Sequence, residues 1–306
     1  MACMKRDYGE GKMKYIGQKD LSMGNTCIAF GDFDGVHLGH KSIVDKVVEL
    51  SNDMTSVLVS FEYADELLEG KKILSTQLEK QNLLKDSSLD TMVSYRIDSC
   101  NKDIAVEAFV KDVLVDTLGA KVIVAGKEDK SIEKLRKCSK EYGYELVECA
   151  TVCLDNEVVT SERILHEIAE GELSKAIELL GHPYLIMGEV MHGKALGRTV
   201  GMPTANIGYK PFKQLPAYGV YGTTSDIDSR NVKGLTNIGK RPSVDSFDYA
   251  TIEAFLLDFS GDLYGKIITL EVHVFIRGVV KFNGIDEVKA QVNKDIESIR
   301  AYLDKL

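Results

Sequence analysis

The sequence lacks the features that would place it in a membrane or outside the cell. None of its apolar runs approaches the roughly 18 residues that a membrane-spanning helix needs. Segment 1–25 is polar and charged, without the apolar core of a signal peptide. We therefore expect a soluble, cytoplasmic protein without a membrane partner.

A basic surplus is also missing. The formal net charge of the 306 residues is −9, whereas proteins that coat nucleic acid usually carry excess lysine and arginine to neutralise phosphates. We therefore expect no nucleic-acid partner, and an anionic small substrate would need a local positive site.

The six cysteines form no CxxC pair, and no histidines accompany them at zinc-binding spacing. We interpret them as plain thiols. The sequence contains no GxxxxGK[ST] motif either, so a P-loop nucleotide site is not expected.

What is present is an order of elements typical of two domains. Between Thr26 and Leu154, short apolar runs alternate with amphipathic stretches, one of them a predicted helix over 104–118, which predicts a parallel sheet with helices on both faces. Two short helices are predicted over 161–170 and 173–180. After segment 181–183 interrupts the helical pattern, β-rich runs predict an antiparallel barrel or sandwich with a final helix over 285–303. We predict an α/β domain over 1–182 and a mainly antiparallel β-barrel domain with a C-terminal helix over 183–306.

A glycine-rich turn in the first domain is a candidate phosphate site. It follows a predicted strand and opens a predicted helix, which is where α/β folds bind phosphates. Glycines allow the backbone to approach a ligand closely, and His37 and His40 can donate to phosphate oxygens. The candidate nucleotide-binding residues of the turn are Gly31, Phe33, Asp34, Gly35 and Gly39. Capping and packing are the alternative role for the histidines, and turn stabilisation is the alternative for Asp34.

A second candidate site lies in the β-rich half. Phosphoryl transfer needs charge neutralisation, in-line placement and a group that orients the attacking hydroxyl. The Thr204 hydroxyl and the Asn206 carbonyl are hard oxygen ligands suited to Mg²⁺. Glu253 lies on an otherwise apolar strand, where a carboxylate costs free energy unless it is paired or used. A water-facing edge strand is the alternative for Glu253, and ordinary turn roles are the alternative for Thr204 and Asn206.

The second half resembles riboflavin kinase, with its motifs in the expected order. They include Gly188-Glu189-Val190-Met191-His192-Gly193, Gly197-Arg198-x-x-Gly201-Met202-Pro203-Thr204-Ala205-Asn206, Asn237-Ile238-Gly239 and Glu253. The resemblance implies nucleotide binding by Gly197, Arg198, Gly201, Pro203 and Thr204, with Thr204 and Asn206 as the Mg²⁺ ligands. It implies that Glu253 is the general base for the ribityl 5′-hydroxyl, and that the flavin is bound by Asn237, Arg277 and Arg300. A surface salt bridge explains Arg300 and Asp295 equally well.

The turn Phe33-Asp34-Gly35-Val36-His37-x-Gly39-His40 resembles the FMN adenylyltransferase half of the bacterial bifunctional riboflavin kinase/FAD synthetase family. The resemblance implies a Rossmann-like nucleotidylyltransferase fold, in which His37 and His40 are catalytic and Ser161 and Arg163 bind nucleotide. Three segments depart from the family. Phe61-Glu62-Tyr63-Ala64-Asp65 stands where the family has Phe-Glu-Pro-His-Pro, segment 124–131 lacks the Gly-Glu-Asp-Phe loop, and Leu165 stands where an arginine is expected.

Together the resemblances predict a bifunctional enzyme that phosphorylates riboflavin to FMN and adenylylates FMN to FAD with release of pyrophosphate. ATP is the expected co-substrate and Mg²⁺ the expected cofactor, with riboflavin, FMN and FAD as small-molecule partners. The three departures leave open a riboflavin kinase with a degenerate nucleotidylyltransferase-like domain. A non-catalytic flavin- or nucleotide-binding regulator is the third alternative.

Overall fold

The computed structural model describes residues 13–192, 202–241 and 249–306, which form two compact units that divide between Ser161 and Glu162. The strands of the first unit are β1 (Lys14–Gly17), β2 (Thr26–Gly31), β3 (Thr55–Tyr63), β4 (Thr91–Ile97), β5 (Ala120–Gly126), β6 (Glu145–Cys149), β7 (Cys153–Leu154) and β8 (Glu157–Val158). Its helices are α1 (Leu38–Ser51), α2 (Gln77–Leu84), α3 (Val106–Phe109) and α4 (Ile132–Tyr142). Helix α5 (Ser161–Glu170) begins at the division.

The first unit is built on a six-stranded sheet in the order β1-β4-β3-β2-β5-β6, with all neighbouring strands parallel. Side chains alternate between its two faces. Ile28 belongs to one buried cluster with Phe109 of α3 and Leu135 of α4, whereas Cys27 belongs to a second cluster with Val44 of α1 and Leu84 of α2. This arrangement confirms the predicted parallel sheet with helices on both faces.

Two helical segments differ in detail from the sequence prediction. The stretch predicted as one helix over 104–118 contains α3 and then a π-helix, Val110–Val115, in which hydrogen bonds reach five residues back, as from Asp116 N to Lys111 O (2.9 Å). Helix α2 lies where no element was predicted. A reciprocal capping box between Thr76 and Glu79 fixes its first turn.

The strands of the second unit are β9 (Tyr184–Met191), β10 (Ala205–Ile207), β11 (Gly219–Ile227), β12 (Arg230–Arg241), β13 (Tyr249–Leu256) and β14 (Ile267–Gly278). They form a closed antiparallel barrel in the order β10-β13-β12-β11-β14-β9, so the barrel alternative holds and the sandwich does not. Closure brings the backbones of β9 and β10 together so tightly that a Cβ at Gly188 would lie 1.7 Å from the carbonyl oxygen of Gly208. Only glycine fits at this position.

Two further helices pack on the barrel. The final helix, α7 (Ile285–Leu303), has the predicted bounds, and its Ile299 and Leu303 are buried against Val220 and Leu235 on the outer barrel face. Helix α6 (Leu173–Leu180) contacts β9 and β14 and is capped by Gly181 in the left-handed region (φ 74°). The sequence predicts the domain boundary after residue 182, just beyond the end of this helix. The two compact units divide between Ser161 and Glu162. Within the described ranges, no helix combines the length and the apolar composition that a membrane span requires.

Candidate active sites

The N-terminal turn leaves the carboxyl end of β2 through an unusual backbone path. Phe33 (φ 48°) and Val36 (φ 43°) both occupy the left-handed region, as does Gly35 (φ 79°). For a β-branched residue such as Val36 this conformation is strained, and it persists only where surrounding contacts hold it. The turn is therefore fixed by its neighbours.

Asp34 provides many of those contacts. Its carboxylate accepts hydrogen bonds from the backbone amides of Leu74 (2.8 Å) and Ser75 (2.7 Å) and from the Ser75 hydroxyl (3.0 Å). The hydroxyl of Ser161 donates to its main-chain oxygen at 2.9 Å. Burial raises the pKa of Asp34 above its usual value, although these hydrogen bonds oppose the shift. The geometry supports the turn-stabilising role for Asp34 and brings Ser161 to the same turn.

The two histidines lie side by side where α1 begins. Nδ1 of His37 accepts a hydrogen bond from the His40 amide at 3.3 Å, so a neutral His37 carries its proton on Nε2. The two rings stack with centroids 3.6 Å apart, and Phe33 flanks His40 at 4.8 Å. A Cβ at Gly39 would come within 3.1 Å of the His37 ring, so this position suits glycine.

The surroundings of His40 favour the neutral form of its ring. Burial, followed by the nearby His37 and Lys80, holds the pKa of His40 well below its usual value. Its Nδ1 is buried and has no hydrogen-bond partner within the described ranges. Two imidazoles at a helix N-terminus form a site that can donate to an anion.

Lys80 is a further residue of this site that sequence reasoning missed. It is 5% exposed, and its Nζ donates to the main-chain oxygen of Asp32 at 2.5 Å. The capping-box spacing of Thr76 and Glu79 could have marked the start of its helix. No sequence signal distinguishes a buried lysine on a short helix from a solvated one.

The structure shows the surroundings of residues that stand at or beside the positions where the sequence departs from the family motifs. Tyr63 donates from its hydroxyl to the Asp32 carboxylate at 2.7 Å, and Glu62 accepts a hydrogen bond from the Ser94 hydroxyl. Ala64 is buried at the carboxyl end of β3. Arg163 lies in the first turn of α5, in the second compact unit, and is partly buried.

The barrel brings three predicted site residues into one row. Asn206 on β10 lies opposite Glu253 on β13, and Glu253 lies opposite Asn237 on β12. Directly opposed residues on neighbouring strands point to the same face, with Cβ atoms about 5 Å apart. Phe255, two residues from Glu253, packs against the cluster under α7, so the row lies on the outer barrel face. All three side chains are partly buried.

The nucleotide loop is described only in part. Pro203 and Thr204 lie in the segment that leads into β10. Pro203 is exposed, whereas Thr204, two residues before Asn206, is partly buried. Gly197, Arg198 and Gly201 lie outside the described residues.

The predicted flavin contacts divide into two kinds. Val220 on β11 lies opposite Asn237 on one side and opposite Arg277 on the other, so Arg277 continues the row. Arg277 donates from Nε and Nη2 to the Asp295 carboxylate at 2.8–3.1 Å. Asp295 is 2% exposed and also accepts a hydrogen bond from Gln291 at 2.8 Å. Arg300 instead pairs with Asp258 at 2.6 Å on the surface. The structure therefore shows a buried ion pair for Asp295 and a surface one for Arg300.

Comparison with known proteins matches both units. A family model described as FAD synthetase matches residues 20–163, and one described as riboflavin kinase matches residues 180–303. A solved structure of a Streptococcus pneumoniae protein named a macrolide-efflux protein has a TM-score of 0.79 and 25% identity, covering 94% of this chain and 98% of that chain.

Curated relatives are similar over nearly the full length. The bifunctional riboflavin kinase/FMN adenylyltransferase of Haemophilus influenzae is 31% identical, covering 91% of this chain and 94% of the relative. The protein of the same name from Listeria monocytogenes is 30% identical, covering 92% of this chain and 94% of the relative. The one from Escherichia coli is 31% identical, covering 90% of this chain and 92% of the relative. This chain belongs to the bifunctional riboflavin kinase/FMN adenylyltransferase family.

Proposed function

We propose that this chain makes FMN from riboflavin and ATP in its barrel unit, and FAD from FMN and ATP in its N-terminal unit. The observation that carries the first activity is the row formed by Asn206, Glu253 and Asn237 on the outer barrel face. The second activity is supported by the stacked pair His37 and His40 at the N-terminus of α1.

In the kinase step, the ribityl 5′-hydroxyl attacks the γ-phosphorus of ATP. The new O–P bond forms as the bond to the β-phosphate oxygen breaks, and ADP leaves. Glu253 accepts the hydroxyl proton, a role that a partly buried carboxylate between two carboxamides can fill. Asn237, its neighbour on β12, is placed to orient the flavin substrate beside the base.

The donor set near Glu253 fits Mg²⁺. Hydroxyl and amide oxygens are hard ligands, and Thr204 and Asn206 supply one of each, with the Glu253 carboxylate in register beside Asn206. When bound, Mg²⁺ would neutralise charge on the transferring phosphates. Residues 13–192, 202–241 and 249–306 contain no cluster of three or more His, Cys, Asp or Glu that could hold a metal. The proposed Mg²⁺ site therefore depends on the neutral oxygens of Thr204 and Asn206.

In the adenylyl step, an FMN phosphate oxygen attacks the α-phosphorus of ATP, and pyrophosphate leaves. Because His37 Nδ1 accepts a hydrogen bond from the His40 amide, the proton of a neutral His37 ring is on Nε2, and the proposed donation to the phosphates comes from that atom. The His40 ring stacks on the His37 ring and, in this proposal, also donates to the phosphates. The positive end of α1 favours the developing negative charge. Ser161, whose hydroxyl donates to the main-chain oxygen of Asp34, completes the proposed nucleotide contacts of this unit, and a nucleotide contact of Arg163 stays a prediction.

The test is to incubate the purified protein with riboflavin, ATP and Mg²⁺ and to resolve the flavins by chromatography over time. We expect FMN to rise first and then to give way to FAD. FMN that accumulates without FAD, even when FMN is supplied directly, would restrict the activity to the kinase. No turnover of either flavin would leave a binding protein. A cytoplasmic location and the small-molecule partners belong to the same proposal.

A further inference from the structure

Lys80 joins the ends of two neighbouring strands beneath the N-terminal turn. Its ammonium donates to the main-chain oxygens of Asp32 (2.5 Å) and Phe61 (3.0 Å), and lies 3.3 Å from the Ser60 hydroxyl. Asp32 directly follows β2, and Phe61 lies near the end of β3. One buried side chain therefore fixes the point at which the turn departs from the sheet.

Burial disfavours the charged form of the Lys80 side chain. Burial lowers the pKa of Lys80, while the carboxylates of Asp34, Asp32 and Glu62 oppose that shift. An apolar side chain of similar length would fill the same space without desolvating an ammonium group. A buried lysine whose Nζ lies within hydrogen-bond distance of three oxygens therefore has a task other than filling the core.

Its donors show what that task is. An ammonium group has three N–H donors, and the three oxygen acceptors around Lys80 can occupy all of them. The group is thus directed at the protein and not at a ligand. Asp32 is also held at its side chain, because the Tyr63 hydroxyl donates to the Asp32 carboxylate at 2.7 Å.

The helix that carries Lys80 is itself attached to the turn. Its first turn is closed by the capping box of Thr76 and Glu79, and the residues just before it, Leu74 and Ser75, donate to the Asp34 carboxylate. The turn is therefore held through Asp32 by Lys80 and through Asp34 by the start of α2. Its strained backbone at Val36 (φ 43°) requires support of this kind.

We propose that Lys80 is a positioning residue for adenylyl transfer. By holding Asp32, it keeps the turn that carries His37 and His40 in the conformation that receives the ATP phosphates. This inference rests on the proposed adenylyltransferase activity of the N-terminal unit. Lys80 acts through the turn and does not contact the substrate.

The test compares Lys80→Met with Lys85→Met, a control in which an exposed lysine at the end of the same helix is replaced. The kcat and KM of FAD formation are measured together with riboflavin phosphorylation. Hydrogen exchange of segment 31–40 is followed by mass spectrometry. We expect Lys80→Met to lose about tenfold or more in kcat, because small displacements of positioning groups have large effects on rate. The KM values should change little and exchange of the turn should be faster.

Riboflavin phosphorylation should stay unchanged in both variants, which shows that the barrel unit is folded. Hydrogen exchange of strands β2 to β5 should match the wild type, which shows that the sheet of the N-terminal unit is folded. Lys80→Arg keeps a cationic donor and should recover part of the lost kcat. A Lys80→Met protein with wild-type kcat, or one that only raises KM, would overturn the proposal. If the wild-type protein makes no FAD from FMN, the adenylyltransferase assignment itself fails. Unchanged exchange of segment 31–40 in Lys80→Met would then refute the positioning role independently.

Discussion

Glu253 lies directly opposite Asn206 across the β10–β13 pair of the barrel. The register places a carboxylate beside a carboxamide on the outer face, with Cβ atoms of such neighbours about 5 Å apart. A phosphate held near Asn206 would therefore lie within reach of a hydroxyl whose proton Glu253 accepts. This relationship underlies the proposed kinase mechanism.

Replacing Glu253 with glutamine should remove the general base while preserving shape. We expect FMN formation to fall by about 10²–10⁴-fold, the usual contribution of general acid–base catalysis. FAD formation from supplied FMN should persist, because it takes place in the other unit. Chromatographic assays of both reactions provide the measurement, and Glu297→Gln, an exposed change on α7, is the control. Retention of FMN formation would refute the role of Glu253.

The His40→Ala variant should show the opposite pattern. Removal of a phosphate donor that stacks on His37 at 3.6 Å should lower FAD formation by about 10²-fold or more, while FMN formation continues. His166→Ala changes an exposed histidine on α5 and should behave as wild type. Loss of both activities in a folded His40→Ala protein would argue against two independent sites.

His40 should also make stability depend on pH. Because the pKa of His40 is lowered in the folded state, the unfolded chain binds the proton more readily, and stability is lost as the pH falls below the usual value of 6.5. Urea midpoints at pH ~7.5 and ~5.5 measure this loss. The decrease should be smaller in His40→Gln. The partly buried His273, whose pKa is also lowered by burial, is present in both proteins, so an identical decrease would show that His40 is not responsible.

The two ion pairs of α7 should differ in their effects on stability. Asp295→Asn leaves Arg277 without its carboxylate partner in a site where Asp295 is 2% exposed, and we expect a loss of about 3 kcal/mol. Asp258→Asn breaks the surface pair with Arg300 and should cost at most about 1 kcal/mol. Denaturant unfolding compares the two variants. Equal losses would contradict the assignment of Asp295 as the buried partner.

Barrel closure predicts a steric effect at one glycine. A methyl group at Gly188 would meet the Gly208 carbonyl oxygen at 1.7 Å, so Gly188→Ala should lower the melting temperature sharply and abolish FMN formation. Gly278→Ala is the matched control, since its Cβ would have no neighbour within 4 Å. A Gly188→Ala protein with wild-type melting would show that β9 and β10 separate more easily than the structure indicates.

Local sequence signals were sufficient for the elements with strong periodicity. The bounds of α7, the helices over 161–170 and 173–180, and the parallel order of the first unit all follow from apolar spacing and helix-ending residues. The nucleotide turn was found because glycines and histidines between a strand and a helix have few other uses. Its motif and those of the barrel sufficed to indicate the family.

Contacts between distant segments could not be derived in the same way. The row that joins Asn206, Glu253 and Asn237 depends on strand register, which the closed barrel fixes through hydrogen bonds between residues far apart in sequence. The burial of Lys80 depends on where α2 packs. The sequence by itself determined the α/β fold of the first unit, the antiparallel β-rich character of the second and the chemical types present at each site, whereas closure into a barrel was seen only in the structure. Only tertiary structure decided which residues meet, because burial and cross-strand pairing are set by the whole fold.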